Sequence, residues 1–118
     1  MSVLVQIFEV QNPEEAVALA QLGVDHIGVL VGDGRFPREL SPAHAKAIFA
    51  AVPPIAKRVA LSLSERSEAV AGIIEATRPD ILQLQAGVED FSVEMTRALK
   101  EAFPGMPIMR AIPVIDET

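Results

Sequence analysis

Five short apolar segments alternate with four helix-like segments along the chain, and this alternation limits the possible folds more than any other feature. The apolar segments begin near Val3, Asp25, Lys57, Asp80 and Pro107. Most read as nearly continuous apolar runs, which is typical of strands covered on both faces. A single helix between successive strands predicts parallel pairing through right-handed crossovers. The expected order is βαβαβαβαβ, with five parallel strands and four helices.

The first strand–helix unit carries the clearest local signals. Val3–Phe8 is apolar except for Gln6 and predicts a buried strand. Asn12 then provides a helix cap, Pro13 suits the first helical position, and Glu15 completes a capping box. Serines are expected to cap the later helices, since serine oxygens accept hydrogen bonds from free backbone N–H groups. The candidates are Ser41, either Ser64 or Ser67, and Ser92.

Two architectures fit this order of elements within one domain covering residues 1–118. One is a flavodoxin-like doubly wound sheet, and the other is part of an eight-stranded TIM (β/α)8-type barrel. A receiver-type doubly wound sheet needs an Asp after the third strand and a Lys on the fifth. Leu63 and Arg110 occupy those neighbourhoods. The sequence therefore favours a partial barrel, and in both architectures function lies at the carboxyl ends of the strands.

Composition narrows the classes of function. The net charge is −6 and only ten of the 118 residues are Lys or Arg, which disfavours binding to nucleic acid or to anionic membranes. There is no Cys, so disulfides, thiolate metal sites and a Cys nucleophile are excluded. Two His residues without clustered acids predict no metal site, and no cofactor is expected. No apolar run approaches the ~18 residues of a membrane span, so a cytoplasmic protein is the expectation.

Several polar side chains fall near the predicted carboxyl ends of strands. Gln6, Phe8 and Glu9 stand at the end of the first strand, and Glu9 is interpreted either as a base or metal ligand or as a solvated charge. The loop after the second strand contains Gly32, Gly34, Arg35 and Arg38. Backbone amides and guanidinium groups in such a loop can hold a phosphate or a carboxylate, although two glycines alone are a weak signal.

Two later strands contribute further candidates. Gln83 and Gln85 share one face of the fourth strand, and amides in an apolar interior need partners, from a ligand or from the fold. Arg110 stands among apolar neighbours in the fifth strand, where it either lines a site or pairs with an acid. From the residues alone, no catalytic group is identified.

With these positions in view, the chain resembles the N-terminal part of phosphoribosylanthranilate isomerases, the barrel enzymes of tryptophan biosynthesis. The resemblance runs from Val5 to about Val114. It depends on the segments QIFEVQNPEEAVALAQLGVDHIGVLV, FPRELSPAHAKAI, PPIAKRVALSL, DILQLQAG and PIMRAIPV taken together. The resemblance implies an eight-stranded barrel, of which this chain would supply five strands and four helices as part of a longer protein.

The resemblance also implies a reaction, the Amadori rearrangement of a sugar phosphate, which needs an acid and a base. The family pattern at strand one is Lys-Ile-Cys-Gly with the Cys as base, whereas this chain has Gln6-Ile7-Phe8-Glu9. The family's acid on strand six and its later phosphate loops have no counterpart here. Arg38 matches the substrate-contacting Pro-Arg position, and Arg110 matches a basic position on strand five.

Substrate-binding residues are therefore predicted at Arg38, Gln85, Arg110 and Gln6, with a phosphorylated small molecule as ligand. The family has a His where this chain has Gln85. The first hypothesis is a segment of a barrel protein that acts on a related sugar phosphate or only binds it, with the isolated chain inactive as an isomerase. The second is a non-catalytic module that covers its open sheet edges as a homodimer. The third, isomerase activity with Glu9 as the base, ranks last.

Overall fold

Nine elements form the computed structural model of this chain, which describes residues 5–86 and 91–110. The strands are β1 (Gln6–Ile7), β2 (His26–Leu30), β3 (Lys57–Ser62), β4 (Ile81–Leu84) and β5 (Ile108–Arg110). The helices are α1 (Pro13–Gln21), α2 (Pro42–Ala51), α3 (Ser67–Thr77) and α4 (Val93–Ala102). The predicted alternation of strands and helices is confirmed.

The strands form one parallel sheet in the order β1-β2-β3-β4-β5. Each crossover therefore moves one place in the same direction, and right-handed crossovers of this kind put all helices on one face of the sheet. Contacts between successive helices, α1 with α2, α2 with α3 and α3 with α4, agree with a single helical layer. This order is that of a barrel segment. A flavodoxin-like sheet reverses its strand order and carries helices on both faces, so that alternative is wrong.

The apolar core lies mainly between this helical layer and the sheet. Ile27, Val29, Ala60, Leu82 and Leu84 point from the strands into a large buried cluster. The opposite face, which would line the interior of a barrel, has a smaller buried cluster of three aliphatic residues. These residues are Leu30, Val59 and Leu61. The alternation of side chains along each strand thus separates a helix-facing side from an interior-facing side.

Three of the four helix caps are those that the sequence predicts. The side chains of Asn12, Ser41 and Ser92 each accept a hydrogen bond from the backbone N–H three residues further on. The prediction for α3 is wrong, because its cap position is Arg66, which makes no side-chain capping bond. The Ser64 hydroxyl instead accepts a bond from the Arg66 N–H, 3.1 Å away, within the preceding turn.

Both edge strands are shorter than expected within the described residues. β1 ends at Ile7, because Glu9 has a left-handed backbone with φ of 61° and cannot continue a strand. β5 is described as far as Arg110, so the predicted continuation to residue 112 lies outside the described residues. The same holds for the predicted strand start at residues 3 and 4, for part of the loop after β4 and for the last eight residues.

Candidate binding site at the carboxyl ends of the strands

Arg38 and Glu9 lie together where β1 and β2 end. The Arg38 guanidinium donates a hydrogen bond of 2.9 Å to the Glu9 carbonyl oxygen, and its Nε lies 3.5 Å from the Glu9 carboxylate. The Gln11 side-chain amide donates to the Arg38 carbonyl at 3.1 Å and reaches the Glu9 carbonyl at 3.5 Å. Three residues from two loops therefore form one polar cluster. The sequence predicts Arg38 as a binding residue and Glu9 as one of two interpretations, whereas nothing in it indicates Gln11.

The backbone of this cluster is held in an unfavourable conformation. Glu9 and Arg38 have φ values of 61° and 70°, in the left-handed region that residues with a Cβ seldom adopt. Only one other non-glycine residue of the described chain, Arg78, shares this conformation. Strained backbone of this kind concentrates at ligand sites because the surrounding contacts must hold it there. Its presence at the carboxyl ends favours a binding role for this edge.

The Gly and Arg loop after β2 is held by hydrogen bonds to a carboxylate within the same loop, that of Glu39. The Glu39 carboxylate accepts hydrogen bonds from the backbone N–H groups of Gly34 and Phe36, at 3.1 and 3.2 Å. It also lies directly against Gly32, where an added Cβ would collide with the Glu39 carboxylate. The amides that were predicted to cradle an external anion are thus already occupied. A loop acid following two glycines is the sequence signal for this arrangement, and it was missed.

Phe8 covers the interior-facing side of the sheet next to this cluster. A Cβ at Gly28 would lie 2.8 Å from Cδ1 of Phe8 and 2.7 Å from Cδ1 of Leu61. The aromatic ring therefore packs across Gly28 with Leu61 beside it, and Phe8 remains 39% exposed. A phenyl ring accepts no proton, so this position offers contact area for an apolar group and no acid–base chemistry.

Gln83 and Gln85 extend the interior-facing side along β4. Gln83 pairs in register with Leu61 and with Met109, so its amide lies between two apolar neighbours. Its side-chain oxygen is buried and has no hydrogen-bond partner among the described residues. Gln85 is half-buried, and its backbone N–H continues the ladder to the Ser62 carbonyl at 2.9 Å. A buried amide oxygen without a partner needs a hydrogen-bond donor, and the described residues provide none for Gln83.

The other two predicted site residues lie elsewhere. Gln6 pairs in register with His26, the first residue of β2, and its amide contacts the His26 ring. This places Gln6 toward the amino ends of the strands, so its expected position at the carboxyl end is corrected. Arg110 pairs with Leu84, whose side chain belongs to the helix-facing core.

Arg110 is held by α4 and by the loop that precedes it. Its guanidinium donates to the Thr96 hydroxyl at 2.6 Å and reaches the carbonyls of Ser92 and Ala86 at 3.5 Å. It pairs with no acid among the described residues. The guanidinium faces the helical layer because Arg110 has the same parity as Ile108, which packs against the core. Ligand contact by Arg110 and by Gln6 stays a prediction, without support from these positions.

A cavity of about 600 Å³ lies beside the cluster, between the β2–α2 loop and the start of α3. It contains none of the four predicted site residues. Three acids and two arginines are among the residues that line it: Asp33, Glu39, Glu68, Arg35 and Arg66. The pKa of Glu68 is lowered because its carboxylate accepts hydrogen bonds from its own backbone N–H and from Arg66. This acidic lining disfavours an anionic ligand, so the cavity is a weaker candidate than the Arg38 cluster.

The described residues, 5–86 and 91–110, contain no group of three or more His, Cys, Asp or Glu side chains arranged to bind a metal. Among the helices of this same part of the chain, none combines the length and apolarity needed to cross a membrane.

The chain is similar to curated proteins named N-(5'-phosphoribosyl)anthranilate isomerase. The N-(5'-phosphoribosyl)anthranilate isomerase of Nitrobacter winogradskyi is 39% identical over 114 residues, which is 97% of this chain and 48% of the relative. The enzyme of the same name from Cereibacter sphaeroides is 34% identical over 115 residues, 98% of this chain and 52% of the relative. No family model matches the chain. The chain spans about half the length of the curated relatives it matches.

Solved structures give the same picture for the fold. A phosphoribosyl anthranilate isomerase in complex with reduced 1-(o-carboxyphenylamino)-1-deoxyribulose 5-phosphate superposes with a TM-score of 0.83 and 24% identity, over 98% of this chain and 56% of that one. A monomerised form of the dimeric enzyme from Thermotoga maritima gives 0.82 and 23%, over 98% and 56%. The fold of this chain is therefore the fold of about half of such a protein.

Proposed function

Because the chain is homologous to phosphoribosylanthranilate isomerases over nearly its whole length and spans about half of theirs, we propose that it is the N-terminal part of such a barrel. In this proposal the chain binds a phosphorylated sugar derivative of an aromatic amine through Arg38. The isolated chain does not catalyse the isomerisation. One relative is described in complex with a ligand of this chemical class, which carries both a carboxylate and a phosphate.

The Arg38 cluster is the observation that carries the binding proposal. The Arg38 side chain is 53% exposed at the carboxyl edge, where barrels place their ligands. Guanidinium groups bind carboxylates and phosphates through paired, charge-assisted hydrogen bonds. Phe8 lies on the interior-facing side at the same edge and supplies apolar surface for an aryl ring. Together these residues suit a ligand that joins an anionic group to an aromatic ring.

The proposed lack of catalysis follows from the residues at the end of β1. Phe8 offers no proton acceptor, and the nearest titratable group, Glu9, lies in a left-handed turn with its carboxylate toward Arg38. A base must lie within hydrogen-bond reach of the proton it removes. A carboxylate turned toward an arginine is a poor candidate for that role, so the hypothesis that Glu9 is the base remains the least favoured.

Binding is tested by calorimetric titration of the purified chain with reduced 1-(o-carboxyphenylamino)-1-deoxyribulose 5-phosphate. We expect Arg38→Ala to weaken binding by about tenfold or more, because a charge-assisted pair contributes about 1.5–3 kcal/mol. Arg35→Ala is the matched control, since Arg35 stands on the same loop but lines the separate cavity. Equal affinities of wild type and Arg38→Ala, or no binding by the wild type, would contradict the proposal. Turnover of phosphoribosylanthranilate by the purified chain would refute the inactivity.

A second candidate function is self-association, favoured by the two free edges of the sheet. Among the described residues β1 and β5 each pair on one side only, and four apolar side chains on and beside them are more than a third exposed. These are Val5, Ile7, Phe8 and Met109. A two-fold axis parallel to the strands would place β5 of each copy beside β1 of the other, in parallel pairing. A second copy of this chain would then cover both edges.

Sedimentation equilibrium at micromolar concentration separates these states. A homodimer has twice the 12.6 kDa mass of one chain. We expect Met109→Lys, on the β5 edge, to dissociate it, because the charge would be desolvated against β1 of the partner copy. Ile55→Lys is the control, since Ile55 is 75% exposed and precedes β3, the central strand of the sheet. A wild-type chain that is strictly monomeric would rule out this second function.

A further inference from the structure

Glu9 occupies the guanidinium that the proposed function gives to the ligand. We infer that Glu9 acts as an internal anion at Arg38, competing with an external carboxylate or phosphate and thereby limiting the affinity of the site. This inference rests on the proposed function only in naming Arg38 as the ligand-binding residue. The contact between Glu9 and Arg38 is a property of the chain itself.

The contact joins the Arg38 guanidinium to both the carboxylate and the backbone carbonyl of Glu9. Nε of Arg38 faces the Glu9 carboxylate at 3.5 Å, while the Arg38 NH2 group donates to the Glu9 carbonyl at 2.9 Å. Two nitrogens of one guanidinium are thus directed at one residue, 29 positions away in the chain. An external anion seeking the same two nitrogens must displace Glu9 or share the guanidinium with it.

The backbone conformation at both ends of the contact is energetically unfavourable. Glu9 and Arg38 both have left-handed backbone, which is unfavourable for residues with a Cβ. Gln11 ties the two turns together by donating to both carbonyls. Such a strained arrangement persists only where surrounding contacts hold it, and the Glu9–Arg38 pair is one of these contacts.

The Glu39 carboxylate plays a comparable part within the β2–α2 loop, which also carries Arg38. It accepts hydrogen bonds from the Gly34 and Phe36 amides, the groups that an external anion would otherwise use. Two acids of the chain therefore occupy the anion-binding groups of the β2–α2 loop. The Glu9 and Arg38 side chains are 46% and 53% exposed, so an external anion can reach this pair.

The pair is also weak enough to be displaced. Exposed ion pairs contribute little to stability, because water screens both charges. Removing the Glu9 charge should therefore raise the affinity for an anionic ligand by about threefold, within the range set by that screening. The effect should shrink in high salt, where the Debye length falls to about 3 Å at 1 M.

The first measurement needs no ligand. Glu9→Gln keeps the size and backbone preference of the side chain but removes its charge. A dicarbonyl reagent specific for arginine, with mass mapping of the modified peptides, should modify Arg38 several-fold faster in Glu9→Gln than in wild type. Arg66 in the same sample is the internal reference, and Glu14→Gln is the matched variant, since Glu14 lies in the first turn of α1. Equal rates of Arg38 modification in Glu9→Gln and wild type would overturn the inference.

The second measurement compares affinities. Reduced 1-(o-carboxyphenylamino)-1-deoxyribulose 5-phosphate, anthranilate and inorganic phosphate are titrated separately, so that the anionic group which gains from the substitution is identified. We expect about threefold tighter binding to Glu9→Gln of at least one of them, and no change for Glu14→Gln. Equal affinities in a chain that binds would overturn the competition. If neither chain binds while Arg38 modification is faster in the variant, the proposed function fails and the shielding of Arg38 by Glu9 stands.

Discussion

At the amino ends of the strands, charged side chains join neighbouring strands, whereas at the carboxyl ends they join loops in left-handed conformations. Arg58 and Asp80 represent the first arrangement: the guanidinium donates to both carboxylate oxygens, at 3.1 and 3.2 Å, and the Arg58 backbone N–H donates at 2.9 Å. Glu9 and Arg38 represent the second, with a single longer contact between charged atoms. The contacts at the amino ends stabilise the register of the strands, and those at the carboxyl ends are more adaptable. In barrels the amino ends generally serve stability and the carboxyl ends serve function.

The same comparison holds for the aspartates that precede strands. Asp25 accepts a hydrogen bond from the Val5 N–H at 2.8 Å, as Asp80 does from the Arg58 N–H. In both cases the carboxylate just before one strand accepts a hydrogen bond from a backbone N–H in or just before the preceding strand. In the described part of the chain, the polar contacts at the carboxyl ends show no such repeat, and each loop is held by a different set of hydrogen bonds.

The largest expected effect concerns the packing that Phe8 makes with the strands. Gly28→Ala should lower the free energy of unfolding by about 1–3 kcal/mol, because the new Cβ would press on Phe8 and Leu61 in a close-packed layer. Denaturant unfolding followed by circular dichroism measures the change. Gly72→Ala, in α3, is the matched control: its new Cβ would have open space around it among the described residues, so it should stabilise the chain by about 0.5–1 kcal/mol. A stabilising Gly28→Ala would show that the ring does not pack there.

The next effect tests the amino ends through pH. Hydrogen bonds and the charge of Arg58 lower the pKa of Asp80, with burial opposing them. The stabilisation is therefore present above the unfolded pKa of about 4 and is lost as the pH falls through the lower folded value. Asp80→Asn should cost about 1 kcal/mol at neutral pH after allowance for solvent screening, and the variant should lose less stability on acidification.

Thermal unfolding of wild type and Asp80→Asn from neutral to acidic pH checks this expectation. The two curves should approach each other as the pH falls. Parallel curves over that range would mean that the bidentate pair does not distinguish the amino ends from the rest of the structure.

The smallest expected effect lies at the start of α3, on the carboxyl side. Arg66→Ser should raise the free energy of unfolding by about 0.5–1 kcal/mol, because the serine hydroxyl can accept the unsatisfied N–H that Arg66 leaves. Urea unfolding measures the gain. The reference is Ser41→Ala, which removes an existing cap and should be destabilising by a similar amount. No gain from Arg66→Ser would indicate that the Ser64 turn already satisfies this helix start.

The sequence predicts the fold well because strand and helix signals are local. Asn12, Ser41 and Ser92 cap the helices where expected, and apolar runs mark all five strands. The sequence favours a partial barrel but does not determine the strand order, because that order depends on the direction of successive crossovers. The pairing of the strands decides it, and that pairing is a property of the whole sheet.

The candidate site was harder to predict because its contacts join distant parts of the chain. Arg38 meets Glu9 only because two separate turns both adopt left-handed backbone, which the residue types disfavour. The helix-facing position of Arg110 was accessible in principle, since its parity with the apolar Ile108 indicates the buried side of β5. Gln6 was assigned to the wrong end because the short β1 begins its pairing opposite the first residue of β2.

The sequential strand order also has a consequence for how the chain folds during synthesis. Each strand–helix unit packs beside the one before it. Among the described strands, none is inserted between two strands that precede it in the sequence. Loop closures are therefore short, and short closures favour rapid folding. Because domains begin to fold from the N-terminus as they leave the ribosome, β1 to β5 can assemble in the order in which they are made. Each described strand after β1 then pairs with a strand that has already been made.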